Sequence, residues 1–170
     1  MPHIIQYPNP ILTTPCVPVP EGRDDIARQV GEDLMAALKQ VKRKSVGLSA
    51  NQIGSLYRVF VLNTKLLGLK TKSIFVNPEI VWESNERVSK VEECMSLPPT
   101  IKVMVERAVR VRLVATTPSG KEIDIELSHL AARCVQHEIE HLNGGTIFDH
   151  IPEDQRGKAR NLIMLARNTQ

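Results

Sequence analysis

The segment Gln136-His137-Glu138-Ile139-Glu140-His141 most constrains what this chain can fold into. Its two histidines are four residues apart, so on a helix their imidazoles share one face, within about 6 Å of each other. Both rings could then bind one metal ion, and Glu138 could reach water at that ion. The pattern therefore predicts a helical metal site with a built-in base, and hydrolysis is the expected chemistry. The alternative is that these histidines are ordinary surface or core residues.

The length and composition are those of one ordinary globular domain, expected to span residues 1–170. Hydrophobic residues make up 42% and charged residues 24% of the 170 residues, near the averages for globular proteins. The formal charge of +3 is spread along the chain, so no nucleic-acid substrate is expected. No run approaches the roughly 20 apolar residues of a membrane span, and residues 1–6 do not resemble a signal peptide. A cytoplasmic location without membrane association is therefore expected.

Three cysteines are an odd and sparse set, which is typical of a reducing compartment rather than a disulfide framework. Cys16 lies among prolines and Cys134 in an apolar helix, so both are expected to serve packing. Cys94 differs because it lies in a polar segment, residues 92–98, that ends in a Pro-Pro turn. A catalytic metal site usually has three protein ligands. Cys94 is the strongest third ligand, although Glu106 or Glu153 could instead complete a two-His, one-carboxylate site.

The periodicity of apolar residues predicts an α+β domain. The proline-rich residues 1–20 should run extended over the surface, and an amphipathic helix should follow over residues 24–43. Strands are expected at residues 58–62 and 73–77, and a hairpin should join alternating strands around residues 109–113 and 123–127. Ser128 should cap the histidine helix, which Asn143-Gly144-Gly145 should end. A last helix should begin at Pro152 and point Leu162, Ile163 and Leu165 inward.

Three separated motifs resemble those of the peptide deformylase family, in the family's order and over nearly the whole chain. The family's Gly-x-Gly-Leu-Ala-Ala-x-Gln corresponds to residues 45–52, Ser-Val-Gly-Leu-Ser-Ala-Asn-Gln. Its Glu-Gly-Cys-Leu-Ser corresponds to residues 92–96, Glu-Glu-Cys-Met-Ser. Its Gln-His-Glu-x-Asp-His-Leu corresponds to residues 136–142, Gln-His-Glu-Ile-Glu-His-Leu. The resemblance implies antiparallel sheets packed around a central metal-binding helix, with an N-terminal amphipathic helix and a C-terminal helix.

The resemblance also implies roles for individual residues. The metal ligands would be Cys94, His137 and His141, holding Fe²⁺, with Zn²⁺, Ni²⁺ or Co²⁺ as possible substitutes. Glu138 would be the general base, and the Gln52 amide and the Met95 backbone N–H would stabilise the oxyanion. The substrate, an N-formylated and in particular a formyl-methionyl nascent peptide, would contact Val46, Gly47, Glu93 and Arg133. A monomer with a weak association with the ribosome is expected.

The chain departs from the family motifs at five positions, namely Ser45, Ser49, Glu93, Met95 and Glu140. Glu140 keeps the charge of the family's Asp but adds a methylene, so the hydrogen bonds around the histidine helix should shift. Glu93 adds an acidic side chain that could narrow the peptide groove, favour a cationic substrate or simply point to solvent. Ser45 and Glu93 leave open a related enzyme for another small N-formyl compound. Two further alternatives are a metal-retaining homologue without catalysis, which the presence of Glu138 and Gln52 disfavours, and a zinc endopeptidase, which Cys94 disfavours.

Overall fold

Three α-helices and seven β-strands make up the computed structural model, which describes residues 3–41, 45–71 and 73–167. The helices are α1 Asp24–Gln40, α2 His129–Leu142 and α3 Glu153–Arg167. The strands are β1 Gly47–Ser49, β2 Val59–Leu62, β3 Ile74–Glu83, β4 Arg87–Glu92, β5 Val103–Ala108, β6 Arg110–Thr116 and β7 Glu122–Ser128. Within these described ranges, no helix has the length and apolar character that crossing a bilayer requires.

Five strands form one antiparallel sheet in the order β1-β2-β3-β6-β7. The predicted hairpin is β6–β7, in which the Thr117 N–H donates to the Lys121 carbonyl at 2.8 Å. Gly120 has a φ of +74°, a conformation that few other residues adopt, which explains the glycine in this turn. Strand β3 is longer than the predicted residues 73–77 because it continues past Pro78, where the register with β6 shifts. Proline has no N–H to give to the ladder, so the strand bulges there.

Helix α2 lies at the centre of the fold and contacts strands of both sheets. Its apolar side packs into a core shared with α1 and the five-stranded sheet, and includes Ala132, Val135 and Leu142. The α+β architecture with antiparallel sheets around this helix and a helix toward each end is therefore confirmed. The helix ends one residue after His141, as predicted, and Gly144 follows with a φ of +80°.

Strands β4 and β5 form a separate antiparallel pair that the sequence did not predict. Burial alternates along β5, whose Val103 and Val105 face inward, but no such alternation exists on β4, where five of six residues are exposed. Strand β5 packs through Val103 and Val105 into a second core with Cys94, the segment after it and α3. Cys94 belongs to this second core, whereas the next residue, Met95, packs against the first.

Several local predictions need correction. Helix α1 ends at Gln40, and the predicted positions 42 and 43 lie outside the described residues. Ser128 is at the N-cap of α2, but its side chain caps no amide. The proline-rich arm is not uniformly extended, because Pro10–Thr13 form a 3₁₀ turn that buries Leu12. Proline is well suited to the first position of such a turn, where its missing N–H is not needed.

Helix α3 buries less of its apolar surface than predicted. Ile163 is inward and 2% exposed, whereas Leu162 and Leu165 are 41% and 64% exposed. Successive helical residues are about 100° apart, so Leu162 cannot share the narrow face of Ile163, and only one row of α3 meets the second core. The predictions for Leu162 and Leu165 as core residues are therefore wrong.

The different exposure of Ile163 and Leu165 predicts that replacing each by alanine lowers the free energy of unfolding by a different amount. Ile163→Ala should lower the free energy of unfolding by about 2 to 4 kcal/mol, because it leaves a cavity in the second core. Leu165→Ala, with most of its side chain already in solvent, should change it by less than about 0.5 kcal/mol. Urea unfolding of the two variants measures both values. Equal costs would mean that α3 does not pack through Ile163.

Candidate metal centre

Three side chains from two segments meet beside α2. Cys94 follows β4, and His137 and His141 lie one turn apart on α2. The potential ligand atoms of the three residues lie within 4.8 Å of one another, and Cys94 Sγ is 3.2 Å from His141 Nε2. Ligand atoms around a tetrahedral divalent ion are about 3.5 Å apart, because the metal–nitrogen and metal–sulfur bonds are roughly 2.0 to 2.3 Å long. The donor set therefore fits a small divalent ion.

The carboxylates considered as alternative third ligands do not join this group. Glu106 and Glu153 are both exposed, and the potential metal group found in the described part of the chain contains neither. Cys94 is instead almost fully buried and belongs to the second core. The geometry thus favours a thiolate rather than a third carboxylate beside the two histidines.

The surroundings of Cys94 favour its thiolate. Burial by itself would raise the pKa of this thiol, but the imidazoles of His141 and His137 lower the pKa to about 5. The Ser96 N–H also donates to Cys94 Sγ at 3.4 Å. Burial without such partners raises the pKa of Cys16 to about 11 and that of Cys134 to about 12. Of the three thiols, Cys94 is therefore the one suited to bind a cation at neutral pH, since the thiolate is the ligand form.

Glu92 orients the imidazole of His137. Its Oε2 lies 2.9 Å from His137 Nδ1, and because a carboxylate only accepts, Nδ1 must donate, which in the neutral imidazole leaves the lone pair on Nε2. Glu92 is itself held by Arg107 at 3.0 Å and by Arg133 at 2.6 Å. Burial opposes the charge of this carboxylate, but His137 and Arg107 hold its pKa well below the usual range. A carboxylate that fixes the tautomer of a ligand histidine is a common support of metal sites.

Glu140 extends this network to the surface. Its carboxylate accepts from Arg107 at 2.8 Å and lies 2.6 Å from His150 Nε2. The side chain lies over Gly145, where an added Cβ would be 2.8 Å from Glu140 Cγ. The extra methylene relative to the family's Asp is thus accommodated by a glycine, and the longer side chain bridges an arginine and a histidine. The expected shift of the hydrogen bonds relative to the family's Asp stays a prediction.

Glu138 lies buried next to the two histidines. Burial raises the pKa of its carboxyl, and the neighbouring imidazoles of His137 and His141 offset only part of this effect. A raised pKa suits a group that must take up a proton near neutral pH. Glu138 packs directly against Gly47, where an added Cβ would be 2.9 Å from the carboxyl carbon. Only glycine leaves room for the carboxylate there, which explains on steric grounds why residue 47 is a glycine.

Two N–H donors predicted for the oxyanion lie beside Cys94. The Gln52 amide nitrogen donates to Ser96 Oγ at 3.0 Å and lies 3.6 Å from Cys94 Sγ, while its oxygen accepts from the Ser49 N–H. The amide is therefore held rigidly at both ends. Among the described residues, no acceptor takes the Met95 backbone N–H. That donor is available to a ligand.

A cavity of about 220 Å³ opens onto this group. It is lined by every predicted site residue except His141, namely Val46, Gly47, Gln52, Glu93, Cys94, Met95, Arg133, His137 and Glu138. His141 is 1% exposed and lies behind the lining. The Arg133 guanidinium donates to Glu92 and to the carbonyls of Val88 and Val105, so its role in binding substrate stays a prediction. Glu93, at the rim, forms an ion pair with Lys102 at 3.2 Å.

The proline-rich arm ties two of the motifs together. The Ile5 N–H donates to the Gln52 carbonyl at 2.8 Å, and the Tyr7 N–H donates to the Ser96 carbonyl at 2.9 Å. The Gln6 side chain donates to the Met95 carbonyl at 3.0 Å. The arm thus fixes the residues that carry both donors predicted for the oxyanion. The proline-rich composition of the arm gave no indication of these hydrogen bonds.

Sequence reasoning missed the residues that support the ligands. Glu92 and Ser96 flank Cys94 within the second motif, so their position in that motif was a usable signal. Arg107 was not detectable, because it lies on β5 and reaches Glu92 and Glu140 only through the tertiary fold. Ser49 was noted as a departure, but its contact with Glu138 was not foreseen.

Comparisons with known proteins agree with this geometry. Residues 1–157 match the family model "Polypeptide deformylase". The chain is similar to a peptide deformylase of Bartonella quintana, with 36% identity over 90% of this chain and 85% of that protein. It is also similar to a peptide deformylase-like protein of Rhizobium meliloti, with 38% identity over 83% of this chain and 78% of that protein. The crystal structure of a peptide deformylase from Legionella pneumophila has a TM-score of 0.86 and 31% identity, covering 98% of this chain and 95% of the other.

Proposed function

Because the chain belongs to the polypeptide deformylase family, we propose that it hydrolyses the N-formyl group of formyl-methionyl peptides and releases formate. The observation that carries the proposal is the placement of Cys94, His137 and His141 around one point, with Glu138 beside them at the wall of one cavity. The ligands would hold one divalent ion, and we propose Fe²⁺, with Zn²⁺, Ni²⁺ or Co²⁺ as substitutes. A thiolate with two imidazoles suits such borderline ions.

The proposed mechanism assigns one task to each side chain. A bound divalent ion supplies Lewis acidity, which polarises the formyl carbonyl and makes water a stronger nucleophile. Glu138 takes the proton of the attacking water and delivers it to the nitrogen of the leaving amine. The Gln52 amide and the Met95 N–H donate to the oxygen on which negative charge develops, a contribution of roughly 3 to 4 kcal/mol per donor in other enzymes. Breaking the C–N bond leaves formate and a free N-terminus.

The direct test is formate release from formyl-Met-Ala-Ser by anaerobically purified protein, together with metal analysis of the same sample. We expect formate in proportion to the metal bound, and loss of both after treatment with a strong chelator. Acetyl-Met-Ala-Ser is the matched control, because it differs by one methyl group on the acyl carbon. Bound metal without turnover would favour the non-catalytic alternative, and cleavage of internal peptide bonds would favour an endopeptidase.

One residue at the cavity rim, Glu93, bears on which substrates the site would accept. Glu93 replaces a family glycine, lines the cavity and pairs with Lys102. Its carboxylate adds a negative charge to the cavity lining, and Lys102 offsets part of that charge. This observation keeps a related substrate with a cationic group as a second candidate.

Glu93→Gly should therefore change substrate preference rather than metal binding. We expect unchanged metal content and a larger gain in kcat/KM for acidic formyl-Met peptides than for basic ones, because the change removes a negative charge and releases Lys102. The difference should shrink as salt rises. Glu93→Gln is the matched control, since it removes the charge but keeps the bulk. Equal gains for both peptide classes at low salt would mean that the charge of Glu93 has no part in specificity.

We further propose that residues 1–170 act as one domain, since Cys94 belongs to the second core and the helix that carries the two histidines packs into the first. A cytoplasmic location, a monomeric state and a weak association with the ribosome stay predictions.

A further inference from the structure

The hydroxyl of Ser49 contacts the proposed general base. Ser49 is the last residue of β1, is fully buried, and replaces an alanine of the family motif. Its Oγ lies 2.7 Å from Glu138 Oε2 and 2.9 Å from the Glu138 carbonyl oxygen. A serine hydroxyl has one proton to donate, and a carboxylate oxygen is a stronger acceptor than a carbonyl. The hydroxyl therefore holds Oε2 when Glu138 is ionised.

The two oxygens of Glu138 have different surroundings. Oε2 is occupied by Ser49, whereas Oε1 lies against Gly47, a residue of the cavity wall. Within the described ranges, no hydrogen bond reaches Oε1. The side-chain atoms there that are both enclosed and without a partner are Asn51 Oδ1 and His141 Nδ1, so Oε1, which has no partner either, is not enclosed. Oε1 is therefore open to the cavity. It is the oxygen placed to exchange a proton with a substrate.

The orientation of this carboxylate needs an outside restraint. The last torsion of a glutamate side chain has a broad, roughly two-fold energy profile, so covalent geometry alone does not decide which way the two oxygens point. Gly47 limits the carboxylate from one side by close packing, and Ser49 fixes it from the other by a hydrogen bond. Alanine at position 49 would provide no donor.

We propose that Ser49 is a positioning residue, whose hydroxyl holds Oε2 of Glu138 so that Oε1 is presented to the cavity for proton transfer. The inference rests on the proposed function, because it takes Glu138 as the general base. Ser49 itself does not touch the metal ligands through its side chain in the described hydrogen bonds. Its effect should appear in turnover and not in binding.

Kinetics of Ser49→Ala test the role in turnover. We expect kcat to fall about tenfold, because a base that is free to rotate spends less time in the productive geometry. KM for formyl-Met-Ala-Ser and the metal content should stay unchanged. Ser84→Ala is the matched control, since Ser84 is also a buried serine with two hydrogen bonds but lies away from the cavity. It should leave kcat and KM as they are.

Thermal unfolding of the metal-loaded protein tests the contact itself without substrate. Ser49→Ala alone should lower Tm by roughly 5 °C, because it leaves a buried carboxylate without its donor. In a Glu138→Met background, which removes the carboxylate but keeps the bulk, the same change should lower Tm by less than about 2 °C.

Equal Tm losses in both backgrounds would overturn the inference, and so would an unchanged kcat in Ser49→Ala or a fall in kcat that follows loss of metal. These results differ from a failure of the proposed function. If the unmodified protein released no formate while Ser49 and Glu138 remained coupled in Tm, the deformylase proposal would fail and the contact would stand.

Discussion

Replacing Glu138 by Gln should reduce kcat for formyl-Met-Ala-Ser by about 10²- to 10⁴-fold and leave the metal content unchanged. An amide of the same shape cannot take a proton from water, but it still fits against Gly47 and still accepts from Ser49. The three ligand side chains lie on other residues, so the metal should remain bound. Steady-state kinetics and metal analysis of one preparation measure both quantities.

Glu126→Gln is the control for this change, because it removes a carboxylate of the same size from an exposed position on β7. It should leave kcat and metal content unaltered. If Glu138→Gln lost its metal, Glu138 would be a ligand rather than a base. If it kept full turnover, another group would have to move the proton, and the proposed mechanism would need a different base.

Replacing Cys94 by Ala should abolish stoichiometric binding of the divalent ion. The change removes the one thiolate of the group and leaves two imidazoles, which is fewer than the three ligands a catalytic site usually has. The two histidines would also lose the thiolate that attracts the cation, a thiol whose pKa they themselves lower. Turnover should disappear together with the metal, as measured by metal analysis after dialysis and by formate release.

Cys16→Ala provides the matched control. Cys16 is also a buried thiol, but burial raises its pKa to about 11, and it packs in the first core and is not part of the ligand group. The variant should keep one bound ion per chain. Full metal affinity in Cys94→Ala would contradict the ligand set, and the alternatives with Glu106 or Glu153 would have to be reconsidered despite their exposure.

The parts of the site that could be predicted from sequence depend on spacing along one element. His137 and His141 share a face of α2 because four residues make about one helical turn, and this holds wherever the helix packs. The hairpin β6–β7 was predictable for the same reason, since alternation and turn residues are local signals. The choice of Cys94 rested on its polar segment and on the resemblance of that segment to a family motif. The structure brings this residue within reach of both histidines.

The predictions that failed depended on neighbours distant in the chain. Leu162 and Leu165 are apolar at helical positions, but only the row of Ile163 meets the second core, and no signal within α3 indicates how wide that contact is. Strand β4 was not predicted because it is almost entirely exposed and has no alternation. Its place in the fold comes from pairing with β5.

The sequence by itself determined the chemistry that this protein can perform, because the residue types and their helical spacing place two imidazoles and a carboxylate together on α2. Only the tertiary structure decided how that chemistry is supported. Arg107 reaches Glu92 and Glu140, and Ser49 reaches Glu138, across separations of 15 to 89 residues. Local periodicity carries no information about such contacts, since they arise when β1, β5 and α2 pack against one another and each buried charge must find a partner.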